Sequence, residues 1–100
     1  MIRGYAIIAH DAPGADVARK AHLDAHLAHV AAQVGDYLVA GPLLVDGVMC
    51  GSLLVVKADS AEAARAMLES DPYFAAGVWG SVAVYDFAAV AGDWVGGKTW

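Results

Sequence analysis

The chain has 100 residues, a formal net charge of −5, and 59% hydrophobic against 17% charged side chains. That length makes one compact domain and leaves no room for a second. The negative charge, with no basic run longer than Arg19-Lys20, disfavours the phosphate backbones of nucleic acids as partners. So much apolar material is more than a small monomer usually hides. No stretch reaches the roughly 18 apolar residues of a membrane span, and Arg3, His10 and Asp11 interrupt any signal-peptide pattern. A subunit interface is therefore the expected home for the surplus. Cys50 is the only cysteine, which excludes an intrachain disulfide and fits a reducing cytoplasm. Within Val48-Met49-Cys50 it reads as a small buried hydrophobe.

In chain order, Ile2 to Ala9 reads as a strand closed by the turn-prone His10-Asp11-Ala12-Pro13-Gly14. A helix is expected from about Asp16 to Val34, ended by Gly35 as a left-handed cap. Tyr37 to Val45 and Val48 to Lys57 flank Asp46-Gly47, the two-residue signal of a tight hairpin. Asp59-Ser60-Ala61-Glu62 offers Asp59 as N-cap with Glu62 at the third helical position, opening an alanine-rich helix to about Ser70. Asp71 is placed to cap a short helical turn that starts on Pro72 and ends at Gly77. Val78 to Ala88 is the last strand, and Ala91 to Trp100 is a glycine-broken tail.

The order β-α-β-β-α-β predicts an α+β, ferredoxin-like domain: an antiparallel four-stranded sheet with two main helices on one face, core about 2–88 and tail 89–100. A solvated outer face would require apolar and polar residues to alternate along the strands. Leu53-Leu54-Val55-Val56 and Val82-Ala83-Val84-Tyr85 are instead apolar at consecutive positions. Both faces of the sheet are thus expected to be dry, and a second copy packed sheet to sheet would close a dimeric α+β barrel.

Chemistry-bearing residues concentrate on the first helix. His22, His26 and His29 fall within an arc of about 60°, joined by Gln33 and flanked by Arg19. Three readings compete. His22 and His26 have the i, i+4 spacing of two metal ligands, but no H-E-x-x-H pattern or third ligand accompanies them. His22 with Asp71 makes an acid/base pair in which the carboxylate fixes the tautomer of the imidazole. In the third reading, Asp71 is only a helix cap and His22 only a surface group. Arg19, one turn before His22, has the paired donors to hold an anionic oxygen, or is an exposed ion-pair partner.

Four segments carry a resemblance: Arg19, His22 and Leu23 in an R-x-x-H-L pattern, Ala40-Gly41-Pro42, Gly51-Ser52, and Asp71-Pro72-Tyr73. In this order and spacing, from about residue 3 to residue 88, the chain resembles the YciI-like family, the YCII-related domain of small dimeric α+β proteins. The resemblance implies a His–Asp site with His22 as general acid or base and Asp71 as its orienter. Arg19, His26, Tyr73, Gly41, Pro42 and Ser52 are the accompanying substrate-binding candidates. It also implies proton transfer on a small polar or aromatic molecule, as an isomerisation or an elimination such as loss of halide. No metal and no cofactor motif is expected; the expected partners are a small-molecule substrate and a second copy, without nucleic acid or membrane. The alternative is a non-catalytic dimeric module that binds a small ligand or acts as an accessory subunit.

Overall fold

A computed structural model describes residues 1–100. The principal elements are β1 (Ile2–Asp11), α1 (Ala15–Ala21), α2 (Leu23–Ala32), β2 (Tyr37–Val45), β3 (Val48–Val56), α3 (Ala61–Glu69), α4 (Pro72–Ala75) and β4 (Trp79–Ala89). The strands form one sheet in the order β2-β3-β1-β4, every neighbouring pair antiparallel. This is the ferredoxin-like arrangement expected from the element order. Asp46 and Gly47 both have positive φ, 51° and 78°, the mirror-image turn that matches strand twist in a two-residue hairpin. Pro42 is tolerated because β2 is an edge strand.

Register sorts the side chains into two faces. Ile7 and Ala9 of β1 pack with Leu54 and Val56 of β3 and with Ala64 and Leu68 of α3 to form the core. Strand alternation then turns Ile8, Leu53, Val39, Tyr85 and Phe87 to the opposite face, where Tyr85 is 57% and Phe87 42% exposed. A smaller cluster of Ala15, Tyr73 and Val78, with Trp79 against it, joins the start of α1 to α4 and β4. Gly51 has no substitute in β3: a Cβ there would meet the carbonyl oxygen of Ala9 on the neighbouring strand. No helix is long and apolar enough to cross a membrane.

Three local expectations are corrected. The long first helix is broken at His22, whose φ of −115° and ψ of 14° are not helical. Just before the break the Arg19 carbonyl accepts the hydroxyl of Tyr73, far away in sequence, at 3.0 Å. Gly35 is no left-handed cap; it sits at negative φ in a 3₁₀ turn, Val34–Asp36. Ser60, not Asp59, caps α3, its Oγ accepting from the amide of Ala63 at 3.0 Å, so Glu62 falls one position short of a capping box. Within the glycine-broken tail lies a minimal hairpin, β5 (Ala91–Gly92) and β6 (Gly97–Lys98), around a 3₁₀ turn at Asp93–Val95.

Candidate active site

Asp71 is the most constrained polar residue of the domain, with only 4% of its surface exposed. It precedes Pro72, which fits the first position of α4 and has no amide hydrogen to satisfy. Its two oxygens are divided between two tasks. Oδ1 accepts the backbone amide of Tyr73 at 2.9 Å, capping the helix, and Oδ2 lies 2.7 Å from Nδ1 of His26 on α2. The Tyr73 ring lies flat against the His26 imidazole, with centroids 3.9 Å apart and planes 3° from parallel. One residue thus holds both members of the pair, the carboxylate through its amide and the imidazole through its ring.

Asp71 therefore pairs with His26, not with His22. His22 is exposed at the break between α1 and α2 and is absent from the walls of the cavity beside the pair. The sequence contains two His-Leu pairs four residues apart, His22-Leu23 and His26-Leu27, on the same helical arc. Only the level of Asp71 along the helix, a difference of about 6 Å, selects between them. Further along the same helix, Nε2 of His29 and Oε1 of Gln33 are buried without a protein partner. Nowhere do three His, Cys, Asp or Glu side chains converge as metal ligands would.

The second polar cluster is built around Arg19. Its Nε and Nη2 bind Oδ2 and Oδ1 of Asp11 at 2.9 and 2.8 Å, a two-pronged pair at the end of β1. Nη2 also reaches the Gly51 carbonyl and Ser52 Oγ, both at 3.3 Å. Ser52 Oγ further accepts Nε1–H of Trp79 at 3.2 Å. The charge expected to anchor an anion is already matched inside the protein. Asp11 read as no more than a turn residue, since nothing local in sequence marks a carboxylate whose partner lies eight residues on.

Both clusters open into one cavity of about 590 Å³ between the helices and the β2–β3 hairpin. His26, Asp71, Arg19, Tyr73, Gly41, Pro42 and Ser52 all line it, so of the catalytic and substrate-binding candidates named from sequence only His22 lies elsewhere. Leu23, Leu27, Val30 and Leu54 add an apolar wall. A cavity of this size and mixed lining is within the range that small-molecule sites occupy.

With this geometry established, the chain can be set beside known proteins. Residues 4–88 match the YCII-related domain. The chain belongs to that family. Among solved structures it is similar to the 5-chloro-2-hydroxyhydroquinone dehydrochlorinase of Burkholderia phenoliruptrix in complex with 2,5-dihydroxybenzoquinone. The two are 28% identical with a TM-score of 0.76, over 92% of this chain and 97% of that one. An uncharacterized NIPSNAP domain protein from Burkholderia xenovorans aligns over 90% of this chain and 96% of its own, at 14% identity and a TM-score of 0.48. No curated protein sequence matches the chain.

Two phenols beside the pair are shifted. Burial raises Tyr73 above its ordinary 10.0, with Arg19 opposing and Asp71 and Asp11 adding to the rise. Burial, then Asp71 and Asp36, raise Tyr37. A raised phenol keeps its proton longer in the folded chain than in the unfolded one. Its contribution to stability is present below pH about 10 and is lost as pH rises beyond that value. The YCII domain is accordingly expected to lose melting temperature above pH about 10, with a shallower loss in Tyr37→Phe and Tyr73→Phe. Thermal melts across that range check this; slopes unchanged in both variants would refute it.

Proposed function

We propose that this YCII-related protein is an acid/base enzyme in which His26 moves the proton and Asp71 orients it. The observation that carries the reading is the 2.7 Å contact between Asp71 Oδ2 and His26 Nδ1 on the wall of an apolar cavity. A buried carboxylate accepts a hydrogen bond from Nδ1–H of the neutral ring and so leaves Nε2 with its lone pair, the form a general base needs. Once Nε2 gains a proton, the same carboxylate stabilises the imidazolium that results. Tyr73, stacked on the ring, resists its rotation out of that orientation.

The reaction class is proton transfer on a small oxygenated ring. Nε2 takes a proton from an acidic hydroxyl or from a carbon beside a carbonyl. The electron pair released then expels a halide, for net loss of hydrogen halide, or picks up a proton at another carbon, for isomerisation. Neither outcome changes the number of electrons in the system, so no redox partner is required. The similarity to a dehydrochlorinase of a chlorinated hydroxyhydroquinone supports the elimination, and the apolar walls of the cavity suit the ring. A cytoplasmic location is part of the same proposal.

The test is a screen of chlorinated hydroxyhydroquinones and other enolisable rings, read by halide release and by exchange of solvent deuterium. On a substrate so found, His26→Ala is expected to cost on the order of 10² to 10⁴ in rate. Asp71→Asn retains a capping oxygen and the fold, and is expected to lose less. His22→Ala should stay close to the parent rate. Parent-like turnover in His26→Ala would end the catalytic assignment and leave a binding module.

We further infer that the working unit is a homodimer joined through the open face of the sheet. Tyr85, Phe87, Ile8 and Leu53 lie on that face, and the helices are on the other. A second copy supplies the missing layer. Light scattering is expected to give twice the 10.3 kDa chain mass, reduced toward one chain by Phe87→Glu. A stable monomer of the unaltered chain at micromolar concentration would refute the dimer.

A further inference from the structure

Ser52 is one of only two buried polar side chains, 8% exposed, and it lies on the cavity wall. The neighbours that hydrogen-bond its oxygen are both obligate donors. Trp79 Nε1–H approaches at 3.2 Å and Arg19 Nη2–H at 3.3 Å, and neither an indole nor a guanidinium nitrogen can accept a hydrogen bond. A hydroxyl has two acceptor lone pairs and one proton. With both lone pairs engaged, the proton is directed away from Trp79 and Arg19 and has no acceptor within the protein. The hydroxyl therefore has a set polarity, donor only, although serine in general takes either role.

The guanidinium beside it shows the same surplus. Nε and Nη2 are committed to Asp11, Gly51 and Ser52, whereas Nη1 has only the thioether sulfur of Met49, at 3.6 Å. Sulfur is a weak acceptor, on a side chain that is half exposed at the rim. An oxygen atom entering the cavity can displace it. The inner polar side of the cavity is thus asymmetric: His26 offers a nitrogen lone pair, while Ser52 and Arg19 offer hydrogens.

We propose that Ser52 Oγ–H, with Arg19 Nη1–H beside it, seats a carbonyl or enolate oxygen of the substrate while His26 takes the proton from another part of the same ring. This rests on the acid/base reading above and narrows it. The ligand must be a ring that carries an acceptor oxygen as well as an acidic proton, and it is held by donors whose bonds strengthen as charge develops on that oxygen. Arg19 contributes directed hydrogens here rather than net charge, because Asp11 already matches its charge.

The probe is 2,5-dihydroxybenzoquinone, followed by calorimetric affinity and by the infrared carbonyl stretch of the bound molecule, in the unaltered protein, Ser52→Ala, Ser52→Thr and His26→Ala. Ser52→Ala is expected to weaken binding roughly tenfold, the worth of one such bond, and to raise the carbonyl frequency. Ser52→Thr keeps the hydroxyl and is expected to restore the lower frequency. Unchanged affinity and frequency in Ser52→Ala would overturn the oxygen seat, as would a Thr variant that loses the band shift as fully as Ala. Binding that His26→Ala weakens but Ser52→Ala leaves intact removes the seat and keeps the acid/base reading. Absence of binding to the unaltered protein removes both.

Discussion

The carboxylate of Asp71 is the point on which the rest of the site depends. It is buried, and a buried carboxylate is tolerated only when its oxygens are satisfied. One oxygen is satisfied by the first turn of α4 and the other by His26. The same group that starts a four-residue helix therefore fixes the height of α2 against it. Removing either partner would leave half of a buried charge uncompensated, so fold and site constrain each other at this residue.

Tyr73 extends that constraint across the molecule. Its amide caps on Asp71, its ring stacks on His26, and its hydroxyl bonds the Arg19 carbonyl at the end of α1. The last contact lies beside the break at His22. Arg19 then grips Asp11 and reaches Ser52, so the His26 and Ser52 sides of the cavity are tied through one aromatic residue. The aspartate and tyrosine of the D-P-Y segment thus hold the local fold through the same side chains that meet His26.

Much of the fold was legible because its signals are local. Asp46-Gly47 needs positive φ at two successive residues and so announces the hairpin. Asp71-Pro72 announces a helix start, and the alternation of β and α signals announces the order of the sheet. The site was legible as a set of residues but not as pairs. His22 and His26 share one arc of one helix, and periodicity alone cannot rank them. Their ranking depends on where α4 docks, a tertiary fact that no local pattern encodes. For the same reason the Arg19 salt bridge to Asp11 and the helix break at His22 left no mark in the surrounding sequence, whereas the capping choice of Ser60 over Asp59 turned on a shift of a single residue.

The chain belongs to the YCII-related family and is similar to a dehydrochlorinase, but the central claim concerns two atoms. Nitrogen-15 correlation spectra of the histidine side chains, recorded where the rings are neutral, report which nitrogen carries the hydrogen. The account predicts that His26 is held as the Nδ1–H tautomer with Nε2 unprotonated, while exposed His22 shows no such preference. A His26 ring carrying its hydrogen on Nε2, with His22 locked as Nδ1–H instead, would contradict it.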